Sequence, residues 1–490
     1  MALLREMVSK IPVGLMPFAL SLAVLAVLAV YSVTNLQTAL FIFGFIPTAF
    51  FGMIVFVTLP GRIVLWAYLG TSIVLAGLVQ FYGGISSAVW GASVMGMALF
   101  IWYFVRLGGM KQPVYIRFLG TTMVIWAIFT LANSVSPIGF FVASVSYFMS
   151  FVAVFGVAKI LQKGSVNITD LEKALCFLPV LQLPFIFHQR FVLIRGTTNW
   201  DSIVGTFGGQ IGGGGGNANM MMYMVAALAV ALHLYQQGKI SARYWWTIFT
   251  VVFVIIGLGE TKAFFIFLPL VLIVQQFPRI RRYPAKAAVY GALLLGAIYG
   301  LSSVYEQFNY VARYGENHSV GTLERAQKSI NYVLDPYNID YETGEVGRFA
   351  SLSLWAGHVA NDPLGKWLGY GIGASRRSSI APGAIALQYA PLKLGSTAMA
   401  QLLWDTGIIG TGMFLLTILA AVRSMIRSAK REVDSYISSR YRTIAALLLM
   451  LLLSMFYKAA LIEAPAVKCL FVMLLAVGWA TQQRLGLSRK

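Results

Sequence analysis

The stretch Ala218-Asn-Met-Met-Met-Tyr-Met-Val-Ala-Ala-Leu-Ala-Val-Ala-Leu-His-Leu-Tyr-Gln236 decides the fold class of this chain. It contains no Asp, Glu, Lys or Arg, and as a helix it is long enough to cross roughly 30 Å of hydrocarbon. Similar blocks recur throughout the 490 residues, which are 58% hydrophobic and only 11% charged. A soluble protein needs roughly 25% charged residues to cover its surface, so the composition excludes that class.

Hydropathy predicts an all-α integral membrane protein with about 14 transmembrane helices. The spans fall near 11–33, 37–58, 63–82, 86–105, 117–134, 137–158, 174–188, 218–236, 244–259, 263–278, 285–304, 400–422, 443–457 and 464–482. The first block is too long for the apolar region of a cleavable signal peptide, so we expect it to be the first span. The seventh is short and contains Pro179 and Pro184, which predicts a kinked or re-entrant segment.

The distribution of charge predicts the orientation of these spans. With a cytoplasmic N-terminus, the inner segments hold 24 of the 37 Lys and Arg residues and five of the 17 acids, which places +19 of the net +20 on one face. Such a bias marks the face that meets anionic lipids, and it removes nucleic acid as a partner. We therefore predict a multi-pass protein of the bacterial inner membrane with both termini in the cytoplasm. Cys176 and Cys469 each lie inside an apolar block and are expected to be free, buried thiols.

Four parts follow from the spacing of the spans. Residues 1–170 form an N-terminal transmembrane bundle, 171–304 form central helices with a glycine-rich periplasmic loop at 189–217, 305–399 form a large periplasmic loop, and 400–490 form C-terminal helices. The large loop is expected to be partly helical and carries eight basic and eight acidic residues. Transporters and channels usually keep such loops short, so a loop of this length indicates a functional site.

The loop at 189–217 combines basic residues with a glycine run ahead of a helix. Arg190, Arg195 and Asp201 precede Gly212–Gly216. Glycines let the backbone approach a ligand closely, and the N–H groups at a helix N-terminus favour anions. A flexible outer turn is the alternative interpretation, but the two arginines favour an anion site.

Two other stretches carry cations in unusual places. Glu260-Thr-Lys262 joins two apolar blocks with almost no loop, and ionisable residues at such depth are either functional or paired with each other to mark the turn. Gly369-Tyr-Gly371-Ile-Gly373-Ala-Ser-Arg376-Arg377 is a glycine-rich turn that ends in paired arginines. The pair is suited to clamp a diphosphate, whereas a plain loop with solvated arginines is the alternative.

A polar stripe is predicted on a helix in the large loop. Arg348, Ser351, Trp355, His358 and Asp362 fall on one face at helical spacing, and Pro363 is expected to end the helix. The stripe suits a sugar or a diphosphate, although a solvated surface helix gives the same pattern. The sequence contains no Walker loop, no HExxH motif, no Cys/His cluster and no outer acidic pair, so we expect no metal and no cofactor.

These pieces, in this order, resemble the O-antigen ligase and Wzy-type polysaccharide polymerase family over about 205 to 415. The resemblance lies in Gly205-Thr-Phe with Asn217-Ala-Asn219, in Glu260-Thr-Lys262-Ala, in Gly347-Arg348…Trp355…Pro363-Leu…Gly369-Tyr-Gly371, and in Gln401-Leu-Leu-Trp-Asp-Thr-Gly407-Ile-Ile-Gly410. It implies a GT-C-like architecture and a glycosyltransferase. The enzyme would move a glycan from undecaprenyl diphosphate to an acceptor sugar hydroxyl on the periplasmic face, without metal. Membrane lipids, a flippase and a chain-length regulator are the expected partners.

The expected roles of individual residues follow from this chemistry, because a leaving diphosphate needs fixed cations and the acceptor hydroxyl needs a base. The candidate diphosphate-binding residues are Arg190, Arg195, Lys262, Arg348, Arg376 and Arg377. The candidate sugar-binding residues are Trp200 and Trp355, and the candidate bases are Asp201, Glu316, His318, His358 and Asp362.

One departure from the family pattern favours a polymerase over a ligase. Ligases carry His-Asn just before the Leu…Gly-x-x-Gly run, whereas this chain has Ser396-Thr397-Ala398 there. A ligase with another acceptor stays as an alternative. A flippase or other transporter is an alternative of a different class, which predicts repeats and polar residues deep in several spans. The sequence shows no repeat, so an enzyme is favoured.

Overall fold

The computed structural model describes residues 59–85, 88–105, 110–133, 147–194, 202–209, 216–259, 263–285, 334–377 and 382–484, with isolated positions at 261, 288, 291–292, 296, 300 and 486. Within these ranges the regular structure is helical, and Ile339 and Val346 form an isolated antiparallel bridge. Eight of the helices described are long and apolar enough to cross a membrane. The class predicted from the sequence, an all-α membrane protein, therefore holds for the part of the chain that the structure describes.

The helices are named in chain order. They are α1 (Gly61–Gly83), α2 (Val89–Val105), α3 (Val114–Ala132), α4 (Tyr147–Gln162), α5 (Ile168–Leu193), α6 (Asn217–Gln236), α7 (Ala242–Leu258), α8 (Phe264–Arg282), α9 (Arg348–His358), α10 (Pro363–Leu368), α11 (Ala384–Gln388), α12 (Ala398–Arg431), α13 (Ser435–Ser454), α14 (Ala460–Glu463) and α15 (Pro465–Arg484). The eight candidate spans are α1, α3, α5, α6, α8, α12, α13 and α15, while α2, α4 and α7 are shorter and apolar. Each of these eleven overlaps a predicted span. The predicted spans at 11–33 and 37–58, and most of 285–304, lie outside the described residues.

Helix α5 is longer than the sequence predicts. It runs over 26 residues with Pro179 and Pro184 inside it, and its last five residues form a π-helical turn at Gln189–Leu193. Asn167 begins the helix, because its side chain accepts a hydrogen bond from the N–H of Thr169 at 3.1 Å. Proline is tolerated inside membrane helices whose neighbours pack closely, and α5 packs against both α6 and α7.

Helices α6 and α15 form the centre of the bundle. Of their most apolar stretches, 89% and 94% are buried, against 28% for α8 at the periphery. Small residues allow close contact between helices: a Cβ on Gly156 of α4 would lie 2.3 Å from the carbonyl oxygen of Leu99 on α2. In lipid there is no hydrophobic driving force between helices, so membrane helices associate through such close contacts between their backbones.

We call one end of the helix bundle the basic end. At this end, hydrogen bonds join α13 to α12 and α15 to α4. Ser438 at the start of α13 bonds the carbonyl of Ala429 at 2.6 Å, and Arg484 at the end of α15 bonds the carbonyl of Leu161 in α4. Basic residues in the last turns of α8, α12 and α15 complement the negative ends of the helix dipoles. These residues are Arg279, Arg281, Arg282, Lys430, Arg431 and Arg484.

The opposite end of the bundle is called the loop end. There the N–H of Ala398, at the start of α12, donates to the carbonyl of Lys458 at 3.3 Å. The described part of the large loop, from Leu334 to Thr397, is seated on this end and includes α9, α10 and α11. These described residues are therefore partly helical.

Candidate functional site

A break in α12 positions the glycine-rich segment of the large loop. Gly407 lies inside this 34-residue helix with φ 62° and ψ −169°, a conformation open essentially to glycine alone. The break exposes the carbonyls of Trp404 and Asp405, which accept hydrogen bonds from the N–H groups of Tyr370 and Gly371, both at 2.9 Å. Backbone groups at membrane depth need partners, so the broken helix and the loop complete each other.

We call residues 369–377 the glycine turn. Gly369 has φ 71°, and a Cβ on it would lie 2.5 Å from the backbone nitrogen of Gly407. In the other direction, a Cβ on Gly407 would lie 2.4 Å from the carbonyl oxygen of Trp367. Glycine is therefore required at both 369 and 407 for the glycine turn to pack against the break in α12.

A buried carboxylate fixes the second half of the glycine turn. The side chain of Asp405 has no exposed surface, and its two oxygens accept the N–H groups of Gly373 and Ser375 at 2.9 Å each. Oδ2 also accepts the hydroxyl of Tyr147 at 2.5 Å. Charge-assisted hydrogen bonds of this kind are the strong ones, so Asp405 holds the backbone that leads directly into Arg376.

Arg376 lies in a small cavity at the loop end, which we call the polar cavity. Its lining is drawn from α2, α4, the glycine turn, α12, α14 and α15. The lining residues are Val89, Trp90, Ser93, Tyr147, Arg376, Gln401, Ile462, Glu463 and Lys468. An arginine, a lysine, a glutamate and several hydrogen-bonding side chains thus meet where a set of apolar helices ends.

A second cavity is larger but offers little chemistry. It lies among α1, α5, α6, α13 and α15, and its walls are mostly apolar. At the basic end it reaches Glu172 and Arg440, which form a buried ion pair with Nε and Oε1 2.6 Å apart. Because these charges satisfy each other and lie far from the loop, the polar cavity is the better candidate site.

Arg348 connects the large loop to the transmembrane helices. Its Nε donates to the carbonyl of Tyr457 at 2.7 Å, and its guanidinium lies 4.1 Å from the centroid of the Tyr457 ring. The ring of Tyr457 in turn contacts Phe267 in the first turn of α8, with centroids 6.1 Å apart. Arg348 is therefore fixed over the turn between α13 and α14, at the same end of the bundle as the polar cavity.

The polar stripe predicted for one helix is divided between two. Helix α9 ends at His358, a short 3₁₀ turn follows at Val359–Asn361, and Asp362 has non-helical φ −124° and ψ 86°. The helix of Arg348 ends before Pro363, and Pro363 begins α10. Proline suits the first turn of a helix, where its missing N–H would have no partner.

Asp362 is the N-cap of α10. Its Oδ1 accepts the N–H of Gly365 at 3.0 Å, and its Oδ2 accepts the hydroxyl of Tyr370 at 2.7 Å. These bonds, that of Gly365 first, hold the pKa of Asp362 below its ordinary value. Burial, followed by the hydrogen bond to Asp362, raises the pKa of Tyr370. A carboxyl with a lowered pKa binds a proton weakly, which makes Asp362 a poor general base.

His358 is surrounded by aromatic side chains. Its Nδ1 lies 2.7 Å from the hydroxyl of Tyr389, and its ring centroid is 5.0 Å from that of Trp404 and 5.3 Å from that of Tyr370. Nearby, the indole Nε1 of Trp355 is buried without a hydrogen-bond partner among the described residues. His358 and Trp355 thus lie in the loop's own small core rather than in the lining of the polar cavity.

The remaining predicted residues are dispersed. Arg377 is exposed and does not line the polar cavity, although it follows Arg376 directly. Arg190 lies in the π-helical turn that ends α5, away from that lining. The other candidates lie outside the described residues: Arg195, Trp200, Asp201, Lys262, Glu316 and His318.

Residues 202–209, predicted as part of an outer loop, are instead largely buried in the bundle. The side-chain oxygen of Gln189 accepts the N–H groups of Val204 and Gly205 at 2.9 and 2.8 Å, and that of Gln182 accepts the N–H of Thr206 at 2.8 Å. A Cβ on Gly77 of α1 would lie 1.9 Å from the carbonyl oxygen of Thr206. The side chains of Gln182 and Gln189 on α5 therefore supply the hydrogen-bond partners that the backbone of this segment would otherwise find in a helix or a sheet.

The cap formed by Asp362 leads to a prediction on stability. Replacing Asp362 by alanine is expected to destabilise the described loop by about 1 kcal/mol at neutral pH, while Asp362→Asn keeps most of the cap. Because the folded-state pKa is lowered, the wild-type contribution is complete above the unfolded pKa and is lost as pH falls through the folded pKa. Limited proteolysis of the loop between pH 3 and pH 7 measures this, and an Asn variant with the wild-type pH profile would contradict it.

Several residues of the polar cavity were not predicted from the sequence. Lys468 gives the clearest signal, since a charged side chain inside the predicted span 464–482 is costly unless it has a function or a partner. Glu463 adjoins the same block, and Gln401 lies in the run that resembles the family's Leu…Gly-x-x-Gly pattern. Within the described residues, no group of three or more His, Cys, Asp and Glu is placed to hold a metal ion.

Comparisons with known proteins assign no family to this chain. No protein-family model matches the sequence. No curated protein matches it either. The chemistry of the polar cavity and the resemblance in sequence motifs are therefore the basis for assigning a function.

Proposed function

We propose that this chain is a polysaccharide polymerase of the bacterial inner membrane. It transfers a glycan from undecaprenyl diphosphate to the hydroxyl of an acceptor sugar at the periplasmic face. The observation that supports the proposal most directly is the pairing of Arg376 and Lys468 in the polar cavity. A polyprenyl diphosphate keeps its chain in the bilayer and its anionic head at the surface, so its cations must lie where the helices end.

The two cations suit the leaving group of such a transfer. Charge develops on the diphosphate as the bond to the sugar breaks, and donors fixed in advance stabilise that charge most effectively. Arg376 follows a turn held by Asp405, and Lys468 lies in the first turn of the central helix α15, so neither depends on a mobile loop. Arg348, fixed on Tyr457, secures the large loop above them.

The charge distribution supports the proposed orientation. Basic residues gather at one end of the bundle, which by the positive-inside rule is the cytoplasmic end. The loop end and its polar cavity then face the periplasm. There the cavity meets substrates that a flippase has already moved across the membrane.

A transporter is the second candidate, and one observation favours it. Glu172 in α5, Arg440 in α13 and His233 in α6 are buried within helices that are long and apolar enough to span a membrane, and the Nε2 of His233 lies 4.0 Å from the carboxylate of Glu172. Intramembrane ionisable groups often mark transport pathways. These three residues lie at the basic end, away from the polar cavity, so they do not take part in the proposed transfer.

Reconstitution tests the proposal against both alternatives. The substrate is the lipid-linked oligosaccharide that accumulates in cells lacking this chain, extracted and mixed with the purified protein in liposomes. A polymerase is expected to yield a ladder of lipid-linked products with release of undecaprenyl diphosphate. Transfer that stops after one step and needs a separate acceptor identifies a ligase. Movement of the lipid across the bilayer with no covalent product would refute the enzyme.

A further inference from the structure

The larger of the two cavities, among α1, α5, α6, α13 and α15, is suited to hold a hydrocarbon, and we call it the apolar groove. Its volume is about 260 Å³, whereas well-packed interiors keep few voids larger than a water molecule. The charged residues in its described lining, Glu172 and Arg440, pair with each other at the basic end, and the rest of the wall is mostly apolar. An apolar void stays dry and binds apolar ligands, so water is not the occupant that fits it.

The apolar groove opens on the outer surface of the bundle between α1 and α5. Trp66 on α1 and Leu181 on α5 both line it, and they are 38% and 49% exposed. The opposite wall is deep, because Ile444 on α13 and Leu470 on α15 also line the groove and are 4% and 3% exposed. Both α1 and α5 are long and apolar enough to span a membrane, so the open side faces lipid tails and a lipid chain can enter from the bilayer.

The apolar groove is closed toward the loop end. There the buried segment 202–209 lies between α1 and α5: the hydroxyl of Thr206 donates to the carbonyl of Ile73 at 3.0 Å, and its N–H donates to the side chain of Gln182 at 2.8 Å. From Leu171 to Leu181 the lining of α5 extends over about 15 Å, at roughly 1.5 Å per residue. This length is about half of the roughly 30 Å hydrocarbon core of a bilayer. The groove therefore matches the chain of a lipid in one leaflet, the leaflet at the basic end.

Helix α1 departs from regular helical geometry where it lines the apolar groove. Residues Thr71–Leu75 form a π-helical turn, and Ile73 and Val74 of this turn are part of the lining. Such turns are frequent at functional sites. Gly70 lies directly before the turn and also lines the groove, and a Cβ added to it would meet no described residue within 4 Å beyond its own helix. A larger side chain at position 70 would therefore enter the groove.

The mouth of the apolar groove at the basic end carries a cation and an aromatic ring. Arg62 precedes Trp66 by four residues in α1, which places both on one face of the helix, and both are exposed. This first turn of α1 lies at the basic end, because a Cβ on Gly61 would lie 3.0 Å from Ile160 in the last turns of α4. Tryptophan is enriched where hydrocarbon meets headgroups, and basic residues between membrane helices bind anionic headgroups.

We propose that the apolar groove binds one acyl chain of an anionic phospholipid from the leaflet at the basic end, with the lipid phosphate beside Arg62. The polyprenyl chain of the proposed glycan donor is a poorer match. Its diphosphate would lie at the loop end, where segment 202–209 closes the groove. The lipid site is therefore separate from the proposed transfer, and binding can be tested without measuring activity.

Photo-cross-linking in liposomes tests whether a lipid chain occupies the apolar groove. The purified protein is reconstituted in phosphatidylcholine with a phosphatidylglycerol that carries a diazirine midway along one acyl chain, and the labelled residues are mapped by mass spectrometry after irradiation. Labels are expected on Ile444 and Leu470, which are too deeply buried for bulk lipid to reach. Ile128 on α3, which is 55% exposed, measures labelling by bulk lipid.

Gly70→Phe fills the apolar groove, and Gly120→Phe on α3 is its matched control. Both glycines are half-buried in apolar helices, and a Cβ on either would meet no described residue within 4 Å beyond its own helix, but Gly120 does not line the groove. Gly70→Phe is expected to lower the labelling of Ile444 and Leu470 relative to Ile128 by about tenfold, the factor for two methylene groups that can no longer be buried. Gly120→Phe is expected to keep the wild-type pattern.

Arg62→Gln tests the headgroup. It is expected to lower the labelling of the apolar groove by phosphatidylglycerol about fivefold, the effect of one basic residue near an anionic membrane surface, and to leave labelling by an equally photoreactive phosphatidylcholine unchanged. Arg117→Gln is the control, because Arg117 is an exposed arginine in the first turn of α3 and does not adjoin the groove. Equal labelling by the two lipids in the wild type would refute the preference for an anionic headgroup.

The remaining outcomes decide whether a lipid chain enters the apolar groove at all. Labels on Ile444 and Leu470 that persist in Gly70→Phe would overturn the inference. So would a wild type that is labelled at exposed positions alone, which would mean that another segment, such as the predicted span at 11–33 or 37–58, fills the groove. If Gly70→Phe folds poorly, Ala174→Phe decides by the same measure, since Ala174 lines the groove from α5. None of these results bears on the proposed polymerase.

Discussion

Replacing Arg376 by alanine is expected to abolish glycan elongation, whereas the same change at Arg377 is expected to leave it near the wild-type level. The two arginines are neighbours in sequence, yet Arg376 lines the polar cavity and Arg377 is exposed outside its lining. Removing one fixed donor to developing charge typically costs about 10²- to 10³-fold in rate, or about 3 to 4 kcal/mol. The distribution of glycan lengths in cells, with the protein quantified in membranes, measures the effect.

Arg376→Lys refines the comparison between these two arginines. Lysine keeps the charge but loses the planar fork that binds phosphate through two parallel bonds, so an intermediate rate is expected. Full activity in Arg376→Ala, or an equal loss in Arg377→Ala, would show that the polar cavity does not bind the diphosphate.

Replacing Asp405 by alanine is expected to have the largest effect on stability. The change leaves the N–H groups of Gly373 and Ser375 and the hydroxyl of Tyr147 without their acceptor in a buried site. Each unsatisfied buried group costs roughly 1 to 3 kcal/mol, so a loss of about 3 kcal/mol or more is expected. Thermal unfolding in detergent measures the stability, and proteolysis near the glycine turn shows whether that segment has detached.

Tyr147→Phe is the matched control, because it removes one of the three donors and leaves the carboxylate and the turn in place. A loss of about 1 kcal/mol is expected for it. Activity is expected to follow the order wild type, Tyr147→Phe, Asp405→Ala, since the turn positions Arg376. An Asp405→Ala protein with wild-type unfolding temperature and activity would refute this role.

The positions of the membrane helices were predictable, and their arrangement was not. Helices need apolar side chains toward lipid as well as toward each other, so hydropathy detects a span but not its place in the bundle. Helices α6 and α8 illustrate this: their most apolar stretches are nearly equal in hydropathy, yet 89% and 28% of those stretches are buried. The lengths of α5 and α13 were also missed, because polar residues continue both helices beyond their apolar blocks.

The candidate site was predicted in part. The glycine-rich turn led to Arg376, since a run of glycines followed by arginines is a visible local pattern. Lys468 lies inside an apolar block that was predicted only as a span, Glu463 precedes that block, and the partners of Asp405 lie 30 or more residues away along the chain. The contacts of Asp405 with the glycine turn depend on the break in α12 at Gly407, and no local sequence pattern predicts that break.

The burial of residues 202–209 dictates the order in which the chain assembles during synthesis. An unpaired backbone group in lipid costs several kcal/mol, so this segment leaves water only after a surface that can pair with it exists. That surface includes Gly77 on α1 and Gln182 and Gln189 on α5, which leave the ribosome before the segment does, and Asn219 on α6, which leaves after it. Biogenesis therefore proceeds with the helices first and the segment last, and a variant that blocks its docking is expected to reach the membrane and stall there unassembled.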